Sequence, residues 1–320
     1  MSLAAPETDV DPADPRASAG LSLLVVGGTG QVGSDLAALA GDRVEVRAPG
    51  SAELDVTQAG GLVEAVSQLS ATAREAGRAP VVVNAAAYTA VDAAEEHEER
   101  AFAVNADGPR MLAAVCSSRR VPLIHISTDY VFSGMEQRPY EPEDSLGPRS
   151  AYGRTKAAGE DAVLGSGALA WIVRTAWVYG AAGSNFVKTI ARLERERDTL
   201  SVVDDQRGSP TWSADLAGGL LELARRVAGG AGPSRKVLHC TGGGETTWFS
   251  FARAVFEELG ADPQRVRPCG SDEFPRPAPR PAYSVLSNAS WTESGLTPLR
   301  PWREALTAFF TEHGAAALRA

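Results

Sequence analysis

At 320 residues the chain is about twice a typical domain and is 44% hydrophobic and 22% charged, so it can bury a real core, while its 32 glycines and 20 prolines exclude fibrous or low-complexity structure. Its 31 basic and 40 acidic residues give a formal net charge of −9, which disfavours nucleic acid as a partner read through a broad basic surface. Cys116, Cys240 and Cys269 form neither a CxxC pair nor a disulfide framework, and point to reduced thiols in a cytoplasm.

Residues 1–20, MSLAAPETDVDPADPRASAG, lack the basic start and apolar stretch of a signal peptide, and a disordered leader is expected. Arg, Asp, Gly or Pro interrupts every apolar run before the ~20 residues that span a bilayer, so no membrane partner is expected. From Leu21, LSLLVV reads as a strand, GGTGQVG as a turn and SDLAALAG as a helix closed by glycine. VEVR is a second strand, LVEAVSQLSATAREAG a helix, and VVVN, residues 81–84, a buried third strand. A long helical stretch around AEEHEERAFAVNADGPRMLAAVCSSRR precedes the strand VPLIHIS. The helix SAYGRTKAAGEDAVL and the strand AWIVRTAWVYG follow.

Strands regularly separated by helices predict an α/β fold with a Rossmann-like, doubly wound parallel sheet. After Gly180 the Gly, Pro and Trp of GSNF, QRGSPTW and FPRPAPRPAYS suggest loops of a smaller C-terminal substrate domain, while SADLAGGLLELARRVAG and KVLHCTG again read as helix and strand. The expected division is a dinucleotide domain over 21–180 joined by 212–242, and a partly discontinuous substrate domain from 181–211 and 243–320.

In GGTGQVG, Gly28, Gly30 and Gly33 satisfy GxGxxG, and Gly27, Gly30 and Gly33 satisfy GxxGxxG. Set between a strand and a helix, the turn lets a pyrophosphate approach backbone N–H groups and the helix dipole, although an ordinary glycine turn is the competing reading. Expected cofactor contacts are Gly27, Gly30, Gln31, Val32 and Gly33 here, Asp55 and Val56 in ELDVT at the adenine end, and Asn84, Ala85 and Ala86 after the third strand. About 20 residues beyond the turn, where an acid would accept ribose hydroxyls, stands Arg47; an arginine can receive a 2′-phosphate, which favours NADPH and leaves NADH open.

Tyr152 and Lys156 in AYGRTKAAGE are spaced to share a helix face. An ammonium beside the phenol would lower its pKa from about 10 towards the range useful for proton transfer. In STDYVF, Ser127 and Thr128 stand at a strand's C-terminal edge, where a hydroxyl could bond a reacting carbonyl. His97, His125, His239 and His313 lack metal-ligand or triad spacing, and His125 in LIHIS reads as a packed strand residue. No GxSxG or GK[ST] string supports a hydrolase or kinase.

Through the glycine turn, Asn84, Thr128 and the Tyr152/Lys156 pair, the chain resembles the extended short-chain dehydrogenase/reductases. The strings NAAAYTAVDAAE, ISTDYVFSG, RPYEPED, AYGRTKAAGE, RTAWVYG, VVDDQRGSPTW and FPRPAPRPAYSVL narrow the resemblance to the dTDP-4-dehydrorhamnose reductase family. It implies that Tyr152 donates a proton and, with Lys156, contacts the cofactor, that Lys156 holds nicotinamide ribose hydroxyls and tunes Tyr152, and that Thr128 orients the substrate carbonyl. Implied substrate contacts are Thr128, Asp129, Val131, Tyr152, Trp177 and Asn185, with Ser209 and Thr211 in nearby loops; Asn105 in AVNADG matches a family helix position. The implied reaction is NAD(P)H-dependent reduction of the C4 carbonyl of dTDP-4-dehydro-β-L-rhamnose to dTDP-β-L-rhamnose, with a dTDP-sugar as partner and a homodimer left open. Ser133 stands where many relatives carry an acid. Some relatives bind Mg²⁺ through C-terminal acids, but Glu293 and Glu304 form no ligand cluster here, and no metal is expected. Two alternatives remain: a reductase of another dTDP-4-keto-6-deoxysugar, and a non-catalytic dinucleotide-binding subunit resembling the regulatory subunit of methionine adenosyltransferase.

Overall fold

Strand β1 (Gly20–Val26) buries every residue from Leu21 to Val26, as a strand covered on both faces must. The computed structural model describes residues 20–315; of the expected leader only Gly20 falls within them, as the first residue of β1. Through α1 (Gln31–Ala38) and α2 (Ala59–Glu75), β1 pairs in parallel with β2 (Val44–Arg47) and β3 (Arg78–Asn84). Helix α1 starts earlier than its apolar spacing suggests, with Gly30 as N-cap, so Gln31, Val32 and Gly33 form its first turn.

The long helical stretch is broken. Helix α3 (Val91–Glu96) ends at His97, whose φ of −125° is not helical, α4 (Glu98–Phe102) restarts, and a π-helical turn (Ala103–Asp107) leads into α5 (Gly108–Arg119). Pro109 has no N–H to give the carbonyl one turn behind it, so the ladder loosens there. The buried Asn105 amide then accepts from Tyr88 N at 2.8 Å and donates to Thr155 Oγ1 at 3.1 Å. Asn105 is thus a structural tie between this turn and the next helix.

Strand β4 (Leu123–Thr128) pairs with β3, and β5 (Ala170–Thr175) with β4. Between them lies α6 (Ala151–Leu164), whose start is fixed by Ser150 Oγ accepting from Gly153 N at 3.1 Å and Glu95 Oε1 accepting from Ala151 N at 2.8 Å. The strand expected across AWIVRTAWVYG is two strands. Trp177 sits at φ +48°, and beyond it β6 (Val178–Tyr179) leaves the sheet to pair with β9 (Thr211–Trp212). A left-handed non-glycine residue costs roughly 1–2 kcal/mol, so the packing around Trp177 must hold it there.

Helix α8 (Ser213–Ala228) carries the chain back to β10 (Val237–His239), which pairs with β5 and completes six parallel strands in the order β10-β5-β4-β3-β1-β2. This is a doubly wound α/β sheet. Alternate residues of β1 feed two layers: Leu23 and Val25 pack with Leu36 and with Leu216 and Leu220 of α8, whereas Leu24 and Val26 pack with Leu62 and Leu112. Strand order reverses between β1 and β3, the position where open α/β sheets hold ligands.

A second core forms from α7 (Phe186–Glu196), α9 (Trp248–Glu258) and α11 (Trp302–His313) around Phe251 and Phe309, with Tyr179 and Trp212 inserted. Beside it β7 (Leu200–Val203) pairs with β12 (Val266–Cys269), and β8 (Arg207–Gly208) with β11 (Thr246–Thr247). Helix α10 (Ala289–Glu293) docks on β10, where Ser290 Oγ accepts from His239 N at 3.0 Å. Among the described residues no helix is long and apolar enough to cross a membrane.

Candidate active site

A cavity of about 580 Å³ opens beyond the C-terminal ends of β1, β3, β4 and β5 and reaches the second core. Its floor is the glycine turn. Gly27 has φ +85°, and a Cβ there would lie 2.7 Å from Ala86 N; a Cβ at Gly33 would lie 2.3 Å from Gly27 O. Any side chain would push the turn off β3. Gly30, Gln31, Val32 and Gly33 line the cavity, and no side chain caps α1 at Gly30, so its first N–H groups face a ligand-sized space.

Other expected cofactor residues are distributed differently. Ala85 lines the cavity, while Asn84 is fully buried behind it. Arg47 ends β2 and donates to Gln68 of α2, and Asp55 accepts from Thr57 N and Oγ1 at 2.9 and 2.8 Å. Val56 packs into the core with Leu54 and Leu62. None of these three borders the cavity.

On the opposite wall Thr128, Asp129, Tyr152 and Lys156 converge. Thr128 Oγ1 donates to Asp129 Oδ1 at 2.9 Å and accepts from Tyr130 N at 3.2 Å. The Tyr152 ring meets Tyr130 edge-on, with centroids 5.5 Å apart. Lys156 Nζ donates to Ile126 O at 2.7 Å and lies 3.4 Å from His125 Nε2.

The electrostatics overturn one expectation. Tyr152 is not made more acidic by Lys156: burial pushes it up to about 12, only partly offset by a hydrogen bond with Thr128. The lysine amine is turned to the Ile126 carbonyl, and the nearby Asp129 charge adds to the rise that burial causes. Tyr152 is therefore a protonated phenol at neutral pH. Burial draws Lys156 down to about 8 against the support of Glu160, and raises Asp129 to about 6. Burial and the neighbouring Lys156 hold His125 well below the usual histidine range, keeping it neutral.

Trp177 forms the far wall, stacked on Trp248 with centroids 3.5 Å apart and planes 6° from parallel. Behind it lies Gly208, where a Cβ would come within 2.3 Å of the indole. Sequence reading missed Trp248 and the cavity-lining Thr89 and Ser184. Trp248 merely follows two threonines at a helix start, and only the folded chain brings it to Trp177.

Several expected substrate contacts are absorbed by the fold. Asn185 caps α7 by accepting from Lys188 N at 3.1 Å, while its amide donates to Gly180 O at 2.7 Å and to Gln31 Oε1 at 3.1 Å, tying the second core to the glycine turn. Val131 is fully buried against Phe132 and Tyr140. Ser209 Oγ donates to Gly244 O at 2.7 Å and Thr211 Oγ1 to Ser209 O at 3.2 Å. Ser133 Oγ lies 3.2 Å from Tyr140 OH. Glu293 pairs with Arg235 at 3.5 Å, and among the described residues no three His, Cys, Asp or Glu side chains gather as a metal site.

A family model described as RmlD substrate binding domain matches residues 21–314. The dTDP-4-dehydrorhamnose reductase of Mycolicibacterium smegmatis is 49% identical over 287 residues, covering 89% of this chain and 83% of that one. The dTDP-4-keto-6-deoxy-D-glucose reductase of Streptomyces niveus is 46% identical over 292 residues, covering 90% of this chain and 96% of that one. Among solved structures, dTDP-4-dehydrorhamnose reductase from Bacillus anthracis in complex with NADP is similar with a TM-score of 0.83 and 32% identity, over 92% of this chain and 99% of that one. With these likenesses spanning nearly the whole of its described length, the chain belongs to the dTDP-4-dehydrorhamnose reductase family.

Proposed function

We propose that this protein reduces the C4 carbonyl of dTDP-4-dehydro-β-L-rhamnose to dTDP-β-L-rhamnose with NADPH, in the cytoplasm. The observation that carries this reading is the meeting in one cavity of Tyr152, Thr128 and Lys156 with the uncapped first turn of α1. Gly30, Gln31, Val32 and Gly33 would hold the pyrophosphate, with Gly27, Asn84, Ala85 and Ala86 shaping the bed beneath. Asp55 and Val56, which follow β2, would border the adenine end, and Arg47 at the end of β2 would suit a 2′-phosphate. Bound NADPH supplies the hydride.

The chain's own residues supply the proton and the alignment. Tyr152 gives its phenolic proton to the C4 oxygen as negative charge develops there. Thr128 orients that oxygen, and Lys156 holds ribose hydroxyls close enough to Tyr152 to fix the two reactants together. The Trp177–Trp248 stack offers a flat apolar face to the sugar or base, and Asp129 accepts from sugar hydroxyls. Segments 181–211 and 243–320, of which 316–320 lie outside the described residues, would supply the sugar side together with Thr128, Asp129 and Trp177, and the rest of 21–180 with 212–242 the dinucleotide side.

The 46%-identical relative with a different sugar in its name favours one second reading, another dTDP-4-keto-6-deoxysugar. Incubating purified protein with NADPH, then NADH, and a panel of such sugars, with products identified by NMR, separates the readings. dTDP-β-L-rhamnose formed fastest with NADPH supports the proposal, and preference for another ketosugar reassigns the substrate. Dinucleotide binding without turnover of any member points to a non-catalytic subunit.

A further inference from the structure

His125 is fully buried and Lys156, at the cavity wall, is only 2% exposed, so an unpaired polar atom would be costly and the positions of their hydrogens follow from their neighbours. Ala86 N donates to Asn84 Oδ1 at 3.2 Å. Reversing the Asn84 amide would set its NH₂ against that N–H, so Nδ2 is the atom that faces His125 Nδ1 at 3.0 Å. Nδ2 donates, and His125 Nδ1 must hold a lone pair. A neutral imidazole carries one proton, which therefore sits on Nε2, 3.4 Å from Lys156 Nζ.

We propose that His125 is a positioning residue that sets the charge of Lys156, because Asn84 locks its imidazole with an N–H, not a lone pair, towards the lysine amine. That N–H opposes an ammonium but donates readily to a neutral amine, whose own proton goes to Ile126 O at 2.7 Å. On α6 itself, Tyr152 is neutral one turn before Lys156, and Glu160 supports the ammonium one turn after. The Glu160 carboxylate is, however, committed to Arg174 of β5 at 2.6 Å. Glu95 of α3 and Glu98 of α4 are taken by Ala151 N and Arg154, while Asp129, whose Oδ1 accepts from Thr128 and whose Oδ2 has no hydrogen-bond partner among the described residues, is not among the charges acting on Lys156. His125 is the polar side chain beside Lys156 Nζ whose hydrogen can oppose its charge. Entry of a ligand with hydroxyl acceptors for Lys156 then draws a proton into the cavity; this consequence rests on the dinucleotide reading above, whereas the imidazole tautomer does not.

The test uses the cofactor-free protein. With the protein ¹³C- and ¹⁵N-labelled, the His125 ring signals are assigned by through-bond correlation to its own backbone, and the expected spectrum shows a protonated Nε2 and a bare Nδ1 unchanged from about pH 6 to 9. A proton on Nδ1, or on both nitrogens, overturns the proposal whether or not any variant folds. The lysines are Lys156, Lys188 and Lys236, so Lys156 can be followed by its ¹³Cε resonance. In His125→Gln, whose amide can turn an acceptor oxygen to Nζ, its titration midpoint rises by about one pH unit, a tenfold change. An unchanged midpoint in a folded variant overturns the proposal. Neither readout involves ketosugar turnover, so failure of the proposed activity would leave both results standing.

Discussion

The ion pair behind the proton-donor helix makes a sharp test of the fold's electrostatics. Arg174 of β5 and Glu160 of α6 meet at 2.6 and 2.9 Å, with side chains only 4% and 1% exposed. The guanidinium also donates to Pro142 O at 3.1 Å and lies over the Phe132 ring. In Glu160→Gln the packing volume is kept, but Arg174 becomes a buried cation with neutral partners. Removing one member of such a pair costs about 3–5 kcal/mol. At roughly 2 °C per kcal/mol for a chain of this length, the melting temperature should fall by roughly 6–10 °C. Thermal unfolding followed by circular dichroism reads this directly. The double variant Glu160→Met with Arg174→Met should recover most of the loss, because no charge is then stranded. A fall below about 2 °C in Glu160→Gln, or a double variant less stable than the single, would refute the reasoning.

Three further outcomes follow from the same geometry. Lys156 loses its proton near pH 8, so dinucleotide affinity should weaken as pH rises above 8, approaching about tenfold per unit for one proton; flat binding titrations from pH 6.5 to 9.5 would count against its role. Asp129 has its folded pKa raised by burial to about 6 from an ordinary 3.8, so its contribution is complete below pH 4 and is lost as pH rises through 6. Asp129→Asn should therefore stabilise the ligand-free protein at pH 7.5 by about 2–3 kcal/mol and give no such gain below pH 4, as measured by urea unfolding at both pH values. Gly208→Ala drives a methyl group into the Trp177 indole and should disturb its stack on Trp248. Sugar-nucleotide KM should rise about tenfold with dinucleotide affinity unchanged; equal loss of both would place Trp177 outside the sugar site.

The alternation of strands and helices was legible because buried parallel strands are continuous apolar runs, as LSLLVV shows in β1. The shared face of Tyr152 and Lys156 was equally legible, since spacing alone sets it once α6 forms. What spacing could not carry was the left-handed bend at Trp177, which is held by Gly208 and Trp248 from distant parts of the chain. Nor could it show that burial would dominate the acidity of Tyr152, because that depends on which way the Lys156 amine turns. His125 read as a packed strand residue, and it is one, but its hydrogen-bond partners emerge only when β3, β4 and α6 are brought together. Asn185 and Val131 show the opposite limit: a polar loop residue can be consumed as a helix cap, and an apolar one by the core.

The most direct test of the proposed reduction is NADPH oxidation on adding dTDP-4-dehydro-β-L-rhamnose to the native protein and to Tyr152→Phe side by side. The native protein should oxidise NADPH and release dTDP-β-L-rhamnose, while the variant should bind NADPH as tightly but turn over about 10²–10⁴-fold more slowly, the usual contribution of a positioned proton donor. Equal rates in the two proteins, or no oxidation by the native one, would contradict it.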